Sequence, residues 1–187
     1  MFARIVSAQL VLSHVQARVL YNGRHAARLC VDFVWFAVLC AMSPMTVCTC
    51  ADGTLTVTRL GPGVAPLSGH EDVGTLVLTY DFPSGIQTAR HPNPGMPYEG
   101  THRVGYLPDT PDGRSLLHLF KRCFIARQTF TVGRSVTTGR DNCVVWNGIH
   151  HKTAVSGGET RFGYPDATYF ERVRAELRSK GIVESAV

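Results

Sequence analysis

Two histidines, His150 and His151, are adjacent in this sequence, and histidine is the side chain best suited to chemistry near neutral pH. They follow the apolar run CVVW (143–146) and the dipeptide Asn147-Gly148. In an extended segment, neighbouring side chains point to opposite faces, so the pair cannot bind one metal ion from a regular strand. No H-x-x-x-H, H-E-x-x-H or C-x-x-C motif lies nearby. The sequence therefore does not favour a metal site, and hydrogen-bonded loop residues remain the alternative.

A glutamate in the last predicted helix occupies an unusual position. With Tyr169 as the reference and ~100° per residue, Val173 and Leu177 lie on one side of the helix, and Glu176 falls about 20° to the other side of Tyr169. The carboxylate thus lies at the edge of the apolar stripe. Glu176 could act there as a general base, or it could border the core and pair with an arginine.

The segment TVGRSVTTGRDN (131–142) is rich in glycine and hydroxyl side chains. Such a segment can present backbone N–H groups and hydroxyls to phosphate oxygens. It can equally be a plain connection between two strands of a hairpin.

Short runs rich in β-branched and aromatic residues predict the strands that must position these side chains. The predicted strands are 53–59, 74–82, 102–108, 129–133 and 143–146, with 85–90 as a further candidate. The prolines and glycines of HPNPGMPYEG (91–100) predict a rigid extended loop without regular structure.

Two amphipathic helices complete the predicted fold. Residues 113–128 place Leu116, Leu119, Phe120, Cys123 and Phe124 at helical spacing. The second helix is predicted to begin at Pro165-Asp166 and to run to Lys180, with Gly181 as its C-terminal stop. Together these elements predict an α+β fold, in which the two main helices pack on a mostly antiparallel sheet.

The composition is that of a globular protein, with 44% hydrophobic and 18% charged residues. The net charge of +5 is unevenly distributed. Residues 1–50 hold four arginines against Asp32, which gives +3, and residues 51–187 hold 15 basic against 13 acidic residues, which gives +2. The body of the chain is therefore nearly neutral, and a basic nucleic-acid-binding face is not indicated.

Residues 1–51 differ in character from the rest. Leu29–Val47 is almost entirely apolar and near the length that spans a bilayer, although it contains Asp32 and the Ser43-Pro44 break. A membrane anchor through residues 29–47 is one alternative, and we favour a non-membrane extension or a misassigned translation start. The six cysteines form no C-x-x-C pair, which predicts free thiols in a reducing compartment.

The motifs from about Asp52 to Ile182 closely resemble the Deltex C-terminal domain. The segments that carry the resemblance are GHEDVGTLVLTYDFPSGIQT (69–88), HPNPGMPY (91–98), GYLPD (105–109), FTVGRSVTTGRDNCVVWNGIHHKT (130–153) and GYPDATYFERVRAEL (163–177). We therefore predict a Deltex C-terminal domain over residues 52–187, preceded by a non-homologous extension over residues 1–51.

The resemblance implies a ubiquitin ligase function. In Deltex proteins a zinc-binding RING domain recruits the ubiquitin-loaded conjugating enzyme, and the C-terminal domain binds ADP-ribose or NAD. Ubiquitin is then joined to a ribose hydroxyl of ADP-ribose, including ADP-ribose carried on proteins or nucleic acids. The resemblance also implies roles in Notch signalling or the DNA-damage response, a cytoplasmic or nuclear location, and hetero-oligomers within the family.

The same resemblance assigns roles to individual residues. Glu176 matches the catalytic glutamate, which acts as a general base on the ribose hydroxyl. Ser135 and His150 match ligand-binding positions, and Phe162 stands where relatives carry histidine or tyrosine, so an aromatic wall is kept without its polar tip. The further predicted ligand neighbours are Gly133, Arg134 and Trp146. His151 is expected to be structural.

A RING domain requires paired zinc ligands, and residues 1–51 offer four cysteines and two distant histidines in no such arrangement. We therefore predict that this chain has no RING domain of its own and needs one from a partner. The alternative function is a non-catalytic reader of ADP-ribose or NAD that serves as a scaffold for a partner ligase.

Overall fold

The computed structural model describes residues 52–184 and the backbone of one strand, Ala17–Leu20. Three predictions concern residues outside the described ranges. They are the predictions for the apolar segment 29–47, for the four N-terminal cysteines and for the absence of a RING domain. Within these ranges, no helix is both long and apolar enough to cross a bilayer.

A four-stranded antiparallel sheet forms the centre of the domain. Its order is β1 (Ala17–Leu20), β2 (Thr54–Leu60), β3 (Thr75–Phe82) and β6 (Thr101–Pro108). The central strand β3 alternates as its sequence predicts, because Leu76, Leu78, Tyr80 and Phe82 all face the core. The strands predicted at 53–59, 74–82 and 102–108 are each confirmed to within a residue at either end.

Two small antiparallel ladders lie beside this sheet, so the predicted single sheet is divided. One joins β4 (Gly85–Ile86) to β5 (Pro97–Tyr98), and the other joins β7 (Phe130–Gly133) to β8 (Cys143–Trp146). The candidate strand 85–90 is thus only two residues long. The prediction that 91–100 has no regular structure is wrong at Pro97–Tyr98, because proline is tolerated at the edge of a short ladder.

The first helix, α1 (Pro111–Ile125), begins earlier and ends earlier than the predicted range of 113–128. Thr110 caps its start by accepting a bond from the Gly113 N–H (3.1 Å), and Pro111 fits the first turn. The helix ends before Arg127, which has a left-handed φ of 58°. The five predicted core positions of this helix are all buried.

The second helix, α2 (Tyr169–Ser179), starts four residues after the predicted Pro165. The carboxylate of Asp166 accepts bonds from the Thr168 N–H and from buried or half-buried cations, so residues 166–168 form a turn instead of the first helical turn. Gly181 has a left-handed φ of 74° and ends the helix region as predicted.

The helix α1 packs against β6 and against α2, and both helices contribute to one core with the strands. The core contains Leu116, Phe120 and Phe124 from α1, and Val173 and Leu177 from α2. Cys123 and Cys143 are buried free thiols, as predicted for these two positions. The fold is therefore α+β, with helices on a mostly antiparallel sheet.

Candidate functional site

An open cleft of about 720 Å³ lies between the β7–β8 hairpin, strand β6 and the segment after β8. Four of the residues predicted to bind ligand line this cleft: Ser135, Trp146, His150 and Phe162. The other lining residues are Arg103, Thr137, Thr138, Gly148, Ile149, His151 and Thr153. Residues that are distant in sequence thus meet at one concave surface.

Aromatic rings from the core form the floor of this cleft, which we call the main cleft. The His151 ring lies between Phe120 and Trp146, with centroid distances of 4.2 and 4.3 Å, and Trp146 stacks in turn on Phe130 at 4.3 Å. Tyr80 of β3 meets Trp146 and His151 edge-on. The floor is therefore continuous with the hydrophobic core.

His151 is buried and fully hydrogen-bonded. Its Nδ1 lies 3.1 Å from the Ile149 carbonyl oxygen, which can only accept, so Nδ1 donates there and Nε2 accepts from the Tyr80 hydroxyl at 2.9 Å. Burial lowers the pKa of His151 to about 4, which keeps the imidazole neutral at physiological pH. His151 is a structural residue of the cleft floor, as predicted.

His150 points the other way and pairs with Glu176. The His150 Nδ1 lies 2.5 Å from the Glu176 Oε1, and the His150 backbone N–H donates to the Oε2 at 2.9 Å. The histidine side chain is 63% exposed, whereas the glutamate side chain is only 24% exposed. The carboxylate thus fixes the orientation of the imidazole and leaves its other nitrogen for a ligand.

Glu176 occupies the position that the helical spacing predicts, at the edge of the buried stripe of Tyr169, Val173 and Leu177. The helical spacing did not indicate that His150 is the partner of Glu176, because the two residues are 26 positions apart in the sequence. Glu176 does not itself line the main cleft and reaches it through His150.

The rim of the main cleft presents hydrogen-bond donors. The Ser135 Oγ accepts from the Thr138 N–H at 3.2 Å, and the Thr138 Oγ1 accepts from the Arg140 N–H at 3.4 Å. Because both oxygens accept backbone bonds, each hydroxyl proton can be donated to a bound group. Segment 134–142 is thus a hairpin connection, and it still offers the hydroxyl donors that its composition suggested.

Arg103 of β6 supplies a positive charge at this rim, and sequence reasoning missed it. Its guanidinium donates to the His102 carbonyl oxygen at 3.1 Å, and Arg103 is the only lysine or arginine among the described residues that line the main cleft. Arg103 shares a face of β6 with the buried Gly105 and Leu107, so the alternation alone would have predicted a core position. Nothing in the sequence placed it opposite the 134–142 segment.

Two predicted ligand neighbours lie outside the lining. Gly133 is the last residue of β7, and Arg134 is exposed, with its guanidinium close to Gly139. Neither is among the residues that bound the main cleft. Their roles in ligand binding remain predictions of the resemblance.

Phe162 forms a fixed but exposed wall of the main cleft. Its side chain is 58% exposed, and its backbone has a left-handed φ of 56°, which is uncommon for a bulky residue. Three backbone bonds hold it: its N–H donates to Glu159, and its carbonyl accepts from Thr153 and Ala154. An aromatic surface is thus held in place at the edge of the site.

A buried ion-pair network supports the segment that carries Phe162. The Lys152 ammonium binds the Asp166 carboxylate at 2.6 Å, and both side chains are at least 96% buried. Arg172 of α2 binds the same carboxylate at 2.8 Å. These cations hold the pKa of Asp166 well below its usual range, although burial alone would raise it.

The arrangement combines an aromatic floor, a rim of hydroxyls with one cation, and a histidine–carboxylate pair. Such a site can stack a planar ring, bind an anionic group and remove a proton. Within residues 52–184, no three histidine, cysteine or acidic side chains cluster as a metal site would require. The class of protein that fold and site define is therefore an α+β domain with a polar, aromatic-floored ligand cleft.

Comparison with known proteins gives the family. The family model of the Deltex C-terminal domain matches residues 48–182, and the chain belongs to this family. The chain is 56% identical over 118 residues to the human protein named "Probable E3 ubiquitin-protein ligase DTX3", an alignment that covers 63% of this chain and 34% of that protein. It is 45% identical over 122 residues to human "E3 ubiquitin-protein ligase DTX1", with 64% and 20% covered.

A further relative is mouse "E3 ubiquitin-protein ligase DTX4", which is 43% identical over 122 residues, with 64% of this chain and 20% of that protein covered. The chain thus matches about a third or less of the length of these curated relatives. The relatives are named as ubiquitin ligases. All residues that line the main cleft lie within the range that the family model matches.

Proposed function

We propose that this domain binds ADP-ribose or NAD in the main cleft and directs ubiquitin from a conjugating enzyme to a ribose hydroxyl of that ligand. The observation that supports this most directly is that His150, which lines the cleft, is paired with Glu176. The ligase names of the relatives support the reaction class. The partners would be ubiquitin, its conjugating enzyme and ADP-ribosylated protein or nucleic acid.

The main cleft suits the parts of ADP-ribose. Trp146 on the floor and Phe162 on the wall offer flat apolar surfaces to an adenine or nicotinamide ring. Arg103 and the hydroxyls of Ser135 and Thr138 offer a charge and donors to the diphosphate. The ribose units, which lie on either side of the diphosphate, would then be within the cleft near His150.

Acyl transfer would proceed with the Glu176 carboxylate as the acceptor of the hydroxyl proton. Each carboxylate oxygen keeps a free lone pair after its bond to His150. The ribose oxygen attacks the thioester carbonyl carbon, a C–O bond forms, the C–S bond breaks, and the thiolate leaves on the conjugating enzyme. His150 would position the ribose through its remaining imidazole nitrogen.

Calorimetry on the full chain tests the ligand assignment. We expect Arg103→Gln to weaken ADP-ribose binding by about tenfold to a hundredfold, because a hydrogen bond to a charged group contributes roughly 1.5–3 kcal/mol. The affinity for adenosine, which lacks the diphosphate, should not change. Arg90→Gln, which removes an exposed arginine outside the cleft lining, is the matched control.

If the parent chain releases no heat at millimolar ADP-ribose, the proposal that ADP-ribose binds in the main cleft is contradicted. Equal weakening of adenosine and ADP-ribose by Arg103→Gln would instead show that the arginine does not act on the diphosphate.

The second candidate is a reader that binds ADP-ribose or NAD and brings a partner ligase to it. A ligand cleft can serve binding alone, which is what this alternative requires, whereas the His150–Glu176 pair favours the enzyme. A zinc-binding RING from a partner, including another Deltex protein, would supply recruitment. Such a partner and the conjugating enzyme both act in the cytoplasm or nucleus, which is the location we propose.

A further inference from the structure

The first residue of α2, Tyr169, carries a hydroxyl that has no part in the proposed reaction. Only 1% of the residue is exposed, and the hydroxyl donates to the His150 carbonyl oxygen at 3.3 Å. Burial raises the pKa of Tyr169 above its usual range, so the phenol keeps its proton and acts as a donor at neutral pH. The hydroxyl therefore holds the backbone of a residue that lines the main cleft.

The same helix holds His150 at a second point. Glu176 follows Tyr169 by seven residues, which places the two side chains about 20° apart around the helix and ~10 Å apart along it. The Glu176 carboxylate accepts a bond from the His150 N–H at 2.9 Å and lies 2.5 Å from the imidazole Nδ1. Both backbone polar groups of His150 are thus bound by side chains from one face of α2.

Two peptide planes meet at His150, and each plane is held by one of these bonds. The N–H belongs to the plane before the Cα atom and the carbonyl belongs to the plane after it, so a bond on each side restricts both φ and ψ. These angles set the direction in which the imidazole leaves the backbone. Because the His150 side chain is 63% exposed, packing restricts this direction little, and the bonds to α2 decide it.

We propose that Tyr169 is a positioning residue, whose hydroxyl fixes the His150 carbonyl and thereby aims the imidazole into the main cleft. This inference rests on the proposed function, because it concerns the histidine that would orient the ribose there. Tyr169 does not line the main cleft and acts on it through His150.

The variant Tyr169→Phe removes the hydroxyl and keeps the ring, which lies 5.1 Å from the Lys152 ammonium and meets Tyr164 edge-on. The assay uses the full chain, a RING supplied in trans, a loaded conjugating enzyme and saturating ADP-ribose. We expect ubiquitin transfer to fall about tenfold, since a small displacement of a positioning group is costly in rate. The calorimetric affinity for ADP-ribose should stay close to that of the parent, because the other contacts of the cleft remain.

Tyr164→Phe is the matched control. It removes another buried tyrosine hydroxyl that donates to a backbone carbonyl, that of Tyr106 at 3.1 Å. The control should lose a similar amount of stability to urea and should transfer ubiquitin like the parent. Equal losses of transfer in the two variants would show that Tyr169 acts on the fold as a whole, which would overturn the inference.

Combination with His150→Ala separates positioning from a general structural effect. A residue that acts through an imidazole has no effect once that imidazole is absent. In the His150→Ala chain, Tyr169→Phe should therefore lower transfer by less than about twofold. The same loss in both backgrounds would contradict the inference, as would transfer by Tyr169→Phe at the parent rate.

A second measurement needs neither ADP-ribose nor ubiquitin. Tyr169→Phe should accelerate hydrogen exchange of the His150 amide by at least about tenfold, because the peptide groups on both sides of His150 loosen together. The Tyr106 amide, which donates to the Lys152 carbonyl at 2.8 Å, should exchange at the parent rate.

An unchanged His150 amide would overturn the inference whatever the transfer assay shows. If the parent neither binds ADP-ribose nor transfers ubiquitin, the proposed function is contradicted. Faster exchange at His150 in Tyr169→Phe would then still support the positioning of His150 by Tyr169.

Discussion

His150 and His151 show how strongly the position of a side chain decides its chemistry. The two are adjacent in sequence, yet His151 is 6% exposed and stacked in the aromatic floor, whereas the His150 side chain is 63% exposed and paired with Glu176. Both keep their Nδ1 occupied, one by a carbonyl and one by a carboxylate. One histidine belongs to the core, and the other belongs to the site.

The buried His151 predicts a specific dependence of stability on pH. Its pKa is about 4 in the folded chain and 6.5 in the unfolded chain, so between these values the unfolded state binds a proton that the folded state does not. The free energy of unfolding should therefore fall by roughly 3 kcal/mol as the pH drops from above 6.5 to about 4. Urea denaturation across this range measures it.

The comparison variant is His151→Gln, which keeps a donor and an acceptor but cannot titrate there. Its free energy of unfolding should fall less steeply over the same pH range, whatever its absolute stability. Equal slopes for parent and variant would contradict a buried neutral His151.

At the residue scale, the sequence predicts single positions better than it predicts pairs. Helical spacing alone placed Glu176 at the edge of a buried stripe, because a helix fixes the angle of each side chain. It could not show that Glu176 meets His150, since that contact depends on how α2 docks beside the segment after β8. Arg103 was missed because its place in the cleft depends on how the 134–142 segment lies beside β6, whereas the hydroxyls of that segment were indicated by its composition.

At the scale of elements, the central strands and both helices follow from local patterns, and their ends do not. The alternation of β3 and the apolar positions of α1 are local and were predicted. The pair Thr110-Pro111 carried the start signal of α1, a cap followed by proline. Arg127 takes a left-handed conformation that glycine usually occupies, so the end of α1 had no sequence signal.

Asp166 illustrates a tertiary contact that overrides a local signal. Pro165-Asp166 has the sequence of a helix start, but the Asp166 carboxylate forms ion pairs with Lys152 and Arg172. We expect Asp166→Asn to lower the free energy of unfolding by roughly 3–5 kcal/mol, because it leaves the buried Lys152 ammonium unpaired. Chemical denaturation measures the loss.

Asp112→Asn is the matched control, since it removes a carboxylate that is 76% exposed in its pair with Arg174. This surface change should cost less than about 1 kcal/mol. Adding Lys152→Met to Asp166→Asn should restore part of the stability, because it removes the stranded charge. No recovery in the double variant would mean that packing around Lys152, and not its charge, accounts for the loss.

At the scale of the whole molecule, the question is whether the domain transfers ubiquitin or only binds its ligand. When a RING domain and a loaded conjugating enzyme are supplied in trans, we expect the full chain to attach ubiquitin to ADP-ribose. Glu176→Gln should lower that transfer by at least about a hundredfold, within the range that a general base contributes. Its ADP-ribose affinity should stay close to that of the parent.

Equal transfer by parent and Glu176→Gln would remove Glu176 from catalysis. Binding of ADP-ribose without any transfer in the presence of the RING would favour the reader. Transfer by the chain without an added RING would contradict the prediction that recruitment must come from a partner.

The shared aromatic floor limits how this cleft can diversify. His151 is buried, and the half-buried Trp146 stacks on it and on Phe130, so replacing Trp146 by alanine would lower the stability of the fold before any ligand is considered. Phe162, Arg103 and the 134–142 segment are exposed and free of that cost. New ligand preferences in this fold should therefore evolve by substitution at the rim of the cleft, while the residues of the aromatic floor are retained.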